Sequence, residues 1–255
     1  MNSILYDEMW ACEQTHWWFL GRRRILQSLV ERYQDTADGR RLAVCDLGCG
    51  CGANLAVWAN DHEVLGVDMV PLALEYARKR LGDRVRLGTL PDRLPVAKDS
   101  QDVVLLADVL EHVKDDLDAA RRAMELLKPG GILIATVPAY QWLTSPRDVH
   151  HHHFRRYSKR NFGRLFDVPG VRLELLSHYN SFLFPIAAMV RLASRFTPLR
   201  DTSGDLRVPV KPVNSLLTRL FCSEGYLLPW LTLPFGLSLV VVARRGERQQ
   251  ASLAA

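Results

Sequence analysis

Val44-Cys45-Asp46-Leu47-Gly48-Cys49-Gly50-Cys51-Gly52 is the stretch that decides how this chain folds. An apolar strand ends near an acidic residue and runs into a loop with glycine at every second position. Lacking a Cβ, glycine reaches positive φ and lets another molecule sit against the main chain. The helix predicted from Ala53 turns its free N–H groups and the positive end of its dipole to the same place. The stretch therefore reads as a nucleotide-type cofactor loop. Gly48, Gly50 and Ala53 also satisfy the G-x-G-x-x-G/A spacing of dinucleotide folds, so the loop alone leaves the cofactor open.

Outward from the loop, residues 62–68 form a second strand ending in Asp68, about twenty residues on, where such folds hydrogen-bond a ribose. Gly88-Thr89-Leu90 closes a third strand. The run from Asp102 to Val113 passes from a fourth strand into a loop, and Lys128-Pro129-Gly130-Gly131 precedes a fifth strand over 132–137. Helices are predicted between them over 53–59, 71–81 and 115–127, with Pro71 suited to a first helical turn. Strands alternating with helices mean a parallel sheet covered on both faces.

The ordered set of Asp46-x-Gly48-x-Gly50-x-Gly52, the acidic strand end Asp68, Asp108-Val109-Leu110-Glu111-His112 and Lys128-Pro129-Gly130-Gly131 resembles class I S-adenosylmethionine-dependent methyltransferases. The likeness is to the group that includes the ubiquinone-biosynthesis O-methyltransferases. His16-Trp17-Trp18-Phe19, His153-Phe154-Arg155-Arg156-Tyr157-Ser158, Asn180 to Pro185 and Leu233 to Ser238 are similar to segments of bacterial members, so the resemblance covers nearly the whole chain. It implies an α/β fold with a Rossmann-like seven-stranded sheet, mostly parallel with an antiparallel last strand. Within one domain it implies a helical lid over 1–40, a cofactor core over 41–140 and a substrate side over 141–255. A helix over 158–166 capped by Ser158 and strands over 171–179 and 237–243 complete the sheet, with an insertion over 180–235 between the last two strands.

The same resemblance assigns S-adenosylmethionine as cofactor. Asp46 and the glycines Gly48, Gly50 and Gly52 would hold its methionine part, Asp68 its ribose, and Met69 and Leu90 its adenine. Asp108 stands at the carboxyl edge of the sheet, where ligands bind. Methyl transfer is an in-line displacement at a sulfonium, so the protein mainly aligns the acceptor, and a hydroxyl acceptor also needs a base. Histidine suits that task near neutral pH. His153 is the leading candidate and His112 the second. Trp17, Trp18, Arg155 and Tyr157 are the candidate acceptor contacts.

In some ubiquinone-type members a divalent metal sits at the counterparts of Asp108, Glu111 and His112. Here an aspartate replaces a glutamate and shortens the reach by one carbon, so a structural helix start is expected and no metal is assigned. The run His150 to His153 remains open between catalysis, a solvated loop and metal binding. Two other functions stay open as well: an NAD(P)-dependent oxidoreductase, and an S-adenosylmethionine-binding assembly partner without catalysis.

With 255 residues, 48% hydrophobic and 24% charged, the chain can bury the core of one such domain. Its net charge of +5 is spread over separate arginine groups, which argues against a nucleic-acid face. Cys45, Cys49 and Cys51 crowd the loop, where a disulfide would distort the backbone, and this points to a reducing cytoplasm. Neither a signal peptide nor an eighteen-residue apolar run is seen. The apolar insertion points to a small-molecule or lipid-linked acceptor with a hydrophobic part, and admits peripheral membrane contact or a homodimer interface.

Overall fold

The computed structural model describes residues 3–34, 39–144, 148–149, 152–193 and 207–247. Seven strands form one sheet in the order β3-β2-β1-β4-β5-β7-β6. They are β1 (Ala43–Leu47), β2 (Glu63–Asp68), β3 (Val85–Leu87), β4 (Gln101–Ala107), β5 (Leu127–Pro138), β6 (Val171–Tyr179) and β7 (Ser238–Arg245). The first five run parallel, and β7 is antiparallel to both β5 and β6. Every residue of β4 is buried, as expected of a central parallel strand with helices on both faces.

Before the sheet come α1 (Ser3–Cys12) and α2 (Trp17–Tyr33), and between its strands lie α3 (Ala53–Ala56), α4 (Pro71–Leu81), α5 (Asp116–Glu125) and α6 (Lys159–Arg164). The predicted limits of α4 and β6 coincide with the observed ones. Ser158 caps α6 through its side chain, which accepts from the Asn161 N–H at 3.2 Å. The helix after the glycine loop stops after one turn, and β3 ends at Leu87, so Gly88 to Leu90 lie beyond it. Residues 128–131 are not a loop before β5. They belong to it, with Gln101 paired to Leu127 before the register shifts.

The predicted insertion holds α7 (Phe184–Ala193) and α8 (Lys211–Leu227). Far from an appendage, α8 packs along the lid helix α2. Phe221 is fully buried and its ring stacks on Trp18 and Tyr179, at centroid distances of 5.4 and 6.0 Å. A Cβ on Gly21 would lie 2.1 Å from that ring, so the close approach of the two helices depends on this glycine. Burial of a side chain of this size stabilises by about 1.5–3 kcal/mol. Lid and insertion are thereby one structural unit. Arg195 and Arg200 of the insertion, like His150 and His151, lie outside the described residues.

Candidate active site

The carboxyl ends of β1, β2 and β4, together with α1, α2 and the insertion, enclose a cleft of about 1300 Å³. Small-molecule sites occupy about 300–1,000 Å³, so this one has room for a cofactor and a second molecule. At the end of β1, Gly48 and Gly50 line it with φ of 81° and 54°. Gly52 does not face the cleft. At φ 81° it caps α3 and packs on Ala77 and Leu81, so its freedom serves the turn into the helix.

Asp46 is also behind the cleft rather than on its wall. It is fully buried, and burial pushes its carboxyl up to about 7 against the downward pull of the Asn54 amide 3.3 Å away. Its Oδ1 has no hydrogen-bond partner. Asp68 does line the cleft, and its two carboxylate oxygens each accept one backbone N–H at 2.9 Å, from Gly50 and Val70. Each oxygen keeps a lone pair for a ligand. Burial raises this carboxyl, opposed by those backbone hydrogen bonds. Met69, 63% exposed, follows directly, and together with Leu90 and Leu94 it gives the cleft an apolar slot.

Asp108 sits at the end of β4 with φ 59°, and its carboxylate pairs with Arg22 of α2 at 2.5 Å. Thr136 Oγ1 donates to its other oxygen at 2.9 Å. The sequence suggests a helix start at Glu111 and His112, from which Asp108 could share their face. Instead, Leu110–His112 is a single 3₁₀ turn and Asp108 lies outside it, tied to Arg22. The group that does come together is Glu111, His112 and His153, whose ligating atoms lie within 4.8 Å of one another. Glu111 is buried, with one carboxyl oxygen unpartnered. Burial, and next the charge of Asp108, hold its carboxyl well above the usual range.

His153 lines the cleft with His112, their rings edge to face at 4.6 Å. Its Nδ1 is 3.0 Å from Oδ1 of Asp148, a buried carboxylate. Arg156 grips the same carboxylate through Nε at 2.8 Å and Nη2 at 3.1 Å. Trp17 and Trp18 also line the cleft, from the first turn of α2. Arg155 and Tyr157 are not brought there. Arg155 pairs with Asp116 at 2.8 Å, and Tyr157 is buried with its hydroxyl donating to the same carboxylate at 2.8 Å. They brace the chain beneath the cleft, whereas Arg156, their neighbour, forms part of its wall.

Besides Arg156, the sequence reading missed Asn180 and Glu224. Asn180 ends β6 at φ 57°, is buried, lines the cleft, and has no hydrogen-bond partner on either side-chain atom. The buried carboxylate of Glu224 on α8 accepts the N–H groups of Asn180, Ser181 and Phe182 at 2.6 to 3.0 Å. An αL asparagine after a strand signals a turn, but nothing local announces a carboxylate 44 residues away.

A methyltransferase-domain family model matches residues 45–135. The ubiquinone biosynthesis O-methyltransferase of Cereibacter sphaeroides is 35% identical over 37% of this chain and 40% of its own. A probable S-adenosylmethionine-dependent methyltransferase of Mycolicibacterium smegmatis is 26% identical over 63% of this chain and 62% of its own. Among solved structures, a chain from the complex with the Haloferax volcanii Trm112 methyltransferase activator superposes with a TM-score of 0.59 at 19% identity, covering 96% of this chain and 94% of that one. Over residues 45–135 the chain carries a methyltransferase domain, as its resemblance to the class I S-adenosylmethionine-dependent methyltransferases implies.

The sheet order and the antiparallel β7 are those of that class. The present chain spans 31 to 62% of the length of the first curated relatives it matches. S-adenosylmethionine is the methyl donor of the class, and the residues of this chain fit it. Gly48 and Gly50 present bare backbone, Asp68 offers free lone pairs on both oxygens, and Met69 and Leu90 flank an apolar slot beside it.

Proposed function

We propose that the protein transfers a methyl group from S-adenosylmethionine to a hydroxyl oxygen of a small-molecule or lipid-like acceptor. One observation carries this reading: the glycine loop and Asp68 share a single cleft with His153, an imidazole already oriented by a buried carboxylate. When bound, the cofactor supplies a methyl group on a positively charged sulfur, an electrophile that needs no further activation. Gly48 and Gly50 would hold its methionine part by backbone groups, with Asp46 behind them. Asp68 would accept from the two ribose hydroxyls, and Met69 and Leu90 would pack on the adenine.

On the acceptor side, Asp148 fixes the His153 ring through Nδ1, which leaves Nε2 to take a hydroxyl proton. Arg156 keeps Asp148 in place by a two-nitrogen grip, the arrangement that best orients a carboxylate. His112 is the second candidate for the proton. Trp17 and Trp18 give aromatic surface, and Ile186, Ala187 and Leu217 from the insertion add apolar surface to the same cleft. That composition supports an acceptor with a hydrophobic part. The match over residues 45–135 to a methyltransferase domain speaks against a nicotinamide enzyme. All five cysteines are free, in keeping with a cytoplasmic setting.

The test is a transfer assay with labelled S-adenosylmethionine against organic and aqueous cell extracts. Label is expected in the organic-soluble fraction, and Ile186→Ala or Leu217→Ala should change the pattern of labelled products while S-adenosylhomocysteine binding stays intact. No transfer above blank from a protein that still binds S-adenosylhomocysteine would instead mark a non-catalytic binding partner.

A further inference from the structure

The mouth of the cleft carries an unusual surface. On α7, Ile186 and Met189 are 60% and 64% exposed, and Phe182 just before it is 45% exposed. Across the mouth, the first two turns of α8 are held to the lid by Asn214, whose Oδ1 accepts the Trp17 N–H at 3.1 Å and whose Nδ2 donates to the Thr15 carbonyl at 2.8 Å, and they leave an outer face open. Val213 and Leu216 point outward there, 46% and 66% exposed, while Leu217 between them and the core turns into the cleft. Scattered exposed apolar side chains are normal, but a group of them around the entrance to an apolar cavity marks an interaction surface.

Charge selects the partner. The described parts of the segment, 180–193 and 207–235, contain Arg191, Arg207, Lys211 and Arg219. Their one acidic residue, Glu224, is buried and occupied by three backbone N–H groups, so it adds no exposed negative charge. Arg207, Lys211 and Arg219 are exposed among the apolar residues. A second copy of this chain would set these cations against one another. An anionic bilayer would receive both features at once, with apolar side chains entering the headgroup boundary and basic ones meeting the lipid phosphates. Among the described residues no helix is long and apolar enough to cross a membrane.

We propose that α7 and the first two turns of α8 dock on an anionic membrane surface, so that the cleft opens into the lipid and takes its acceptor from there. The docking rests on the reading of the acceptor as lipid-like only for its purpose, since the surface itself would bind lipid without cofactor or acceptor.

The experiment is flotation of the full chain with vesicles of phosphatidylcholine alone and of phosphatidylcholine mixed equally with phosphatidylglycerol. Binding is expected to the mixed vesicles, much less to the neutral ones, and is expected to fall as salt rises. Each basic residue near the surface should account for about a fivefold change in partition, so Lys211→Gln and Arg219→Gln should each weaken binding by that factor. Met189→Glu with Leu216→Glu should abolish it. Circular dichroism and S-adenosylhomocysteine calorimetry on each variant confirm folding and an intact cofactor site. Failure to bind either vesicle type overturns the proposal, as does binding that ignores these substitutions. A concentration-dependent dimer that Leu216→Glu disrupts, without vesicle binding, would show the surface to be a self-interface. Loss of S-adenosylhomocysteine binding in the wild-type chain would break the methyltransferase reading and leave the vesicle result standing on its own.

Discussion

The half of the cleft proposed for the cofactor draws heavily on backbone, and the half proposed for the acceptor is made of side chains. Gly48, Gly50 and the N–H groups that hold Asp68 all belong to two neighbouring strands and the turns after them, so residues 48–70 supply its backbone surface. Trp17, Trp18, His112, His153, Arg156, Ile186 and Leu217 come from lid, core, loop and insertion, and reach one wall only through the fold. The difference teaches where change is tolerated. A backbone site admits little variation and serves every member of a class, whereas a wall of side chains drawn from four segments can be rebuilt for each acceptor.

His153 is where that comparison is easiest to break. If the acceptor half supplies the base, His153→Ala should lower kcat by about 10²–10⁴-fold and leave S-adenosylhomocysteine affinity unchanged, since the cofactor half does not use it. Steady-state rates of wild type and variant, paired with calorimetry, decide the matter. Normal turnover in the variant would mean that alignment alone suffices and that the acceptor wall carries no chemistry.

The converse experiment strikes the cofactor half. Asp68→Ala removes two charge-assisted hydrogen bonds and should weaken S-adenosylhomocysteine binding by about 2–3 kcal/mol, roughly 30- to 150-fold. It also frees the N–H groups of Gly50 and Val70, so Asp68→Asn, which keeps an acceptor oxygen, should fall between the variant and the wild type. Calorimetry with NADH alongside is the control. Tight NADH binding with none for S-adenosylhomocysteine would reverse the assignment of the cleft.

How much could be read in advance follows the same division. The glycine loop, Asp68 and the alternation of strands and helices are local patterns, and the seven-stranded sheet with its antiparallel last strand followed from them and from family resemblance. Element limits slipped where the signal was weak, as at α3, which lasts one turn, and at β5, which begins before its glycines. The acceptor side was less legible because its parts meet only in three dimensions. Arg155 and Tyr157 look like site residues in the sequence and turn out to brace Asp116. Arg156, Asn180 and Glu224 do the work of shaping the wall, through contacts that no spacing reveals. The insertion looks detachable on paper, yet Phe221 is part of the core.

Gly21→Ala sharpens the last point. With 2.1 Å between the would-be Cβ and Phe221, the lid and α8 must separate or Phe221 must leave its stack. Overpacking of this kind costs about 1–3 kcal/mol, so the urea midpoint should fall with little change in slope. An unchanged midpoint would show that the insertion is only loosely joined to the lid, and that the two halves of the cleft are less dependent on each other than their packing implies.

The smallest expected effect concerns Glu111, which lies where the two halves meet. Together with His112 and His153 it forms a group that has the residue types of a metal site. Its environment argues the other way, because burial and the nearby Asp108 favour the uncharged carboxyl. A divalent ion needs the ionised carboxylate. EDTA should therefore leave turnover unchanged, and Glu111→Gln, which imitates the protonated acid, should retain most activity. Stability gives an independent reading. A carboxyl raised in the folded state stabilises below its unfolded pKa, and that contribution is lost as pH rises toward the folded value. The unfolding free energy of Glu111→Gln should thus gain on that of the wild type as pH increases above the ordinary carboxylate range. Activity lost to EDTA and restored by magnesium, with Glu111→Gln inactive, would instead make this carboxylate a metal ligand and extend the chemistry of the acceptor wall beyond proton removal.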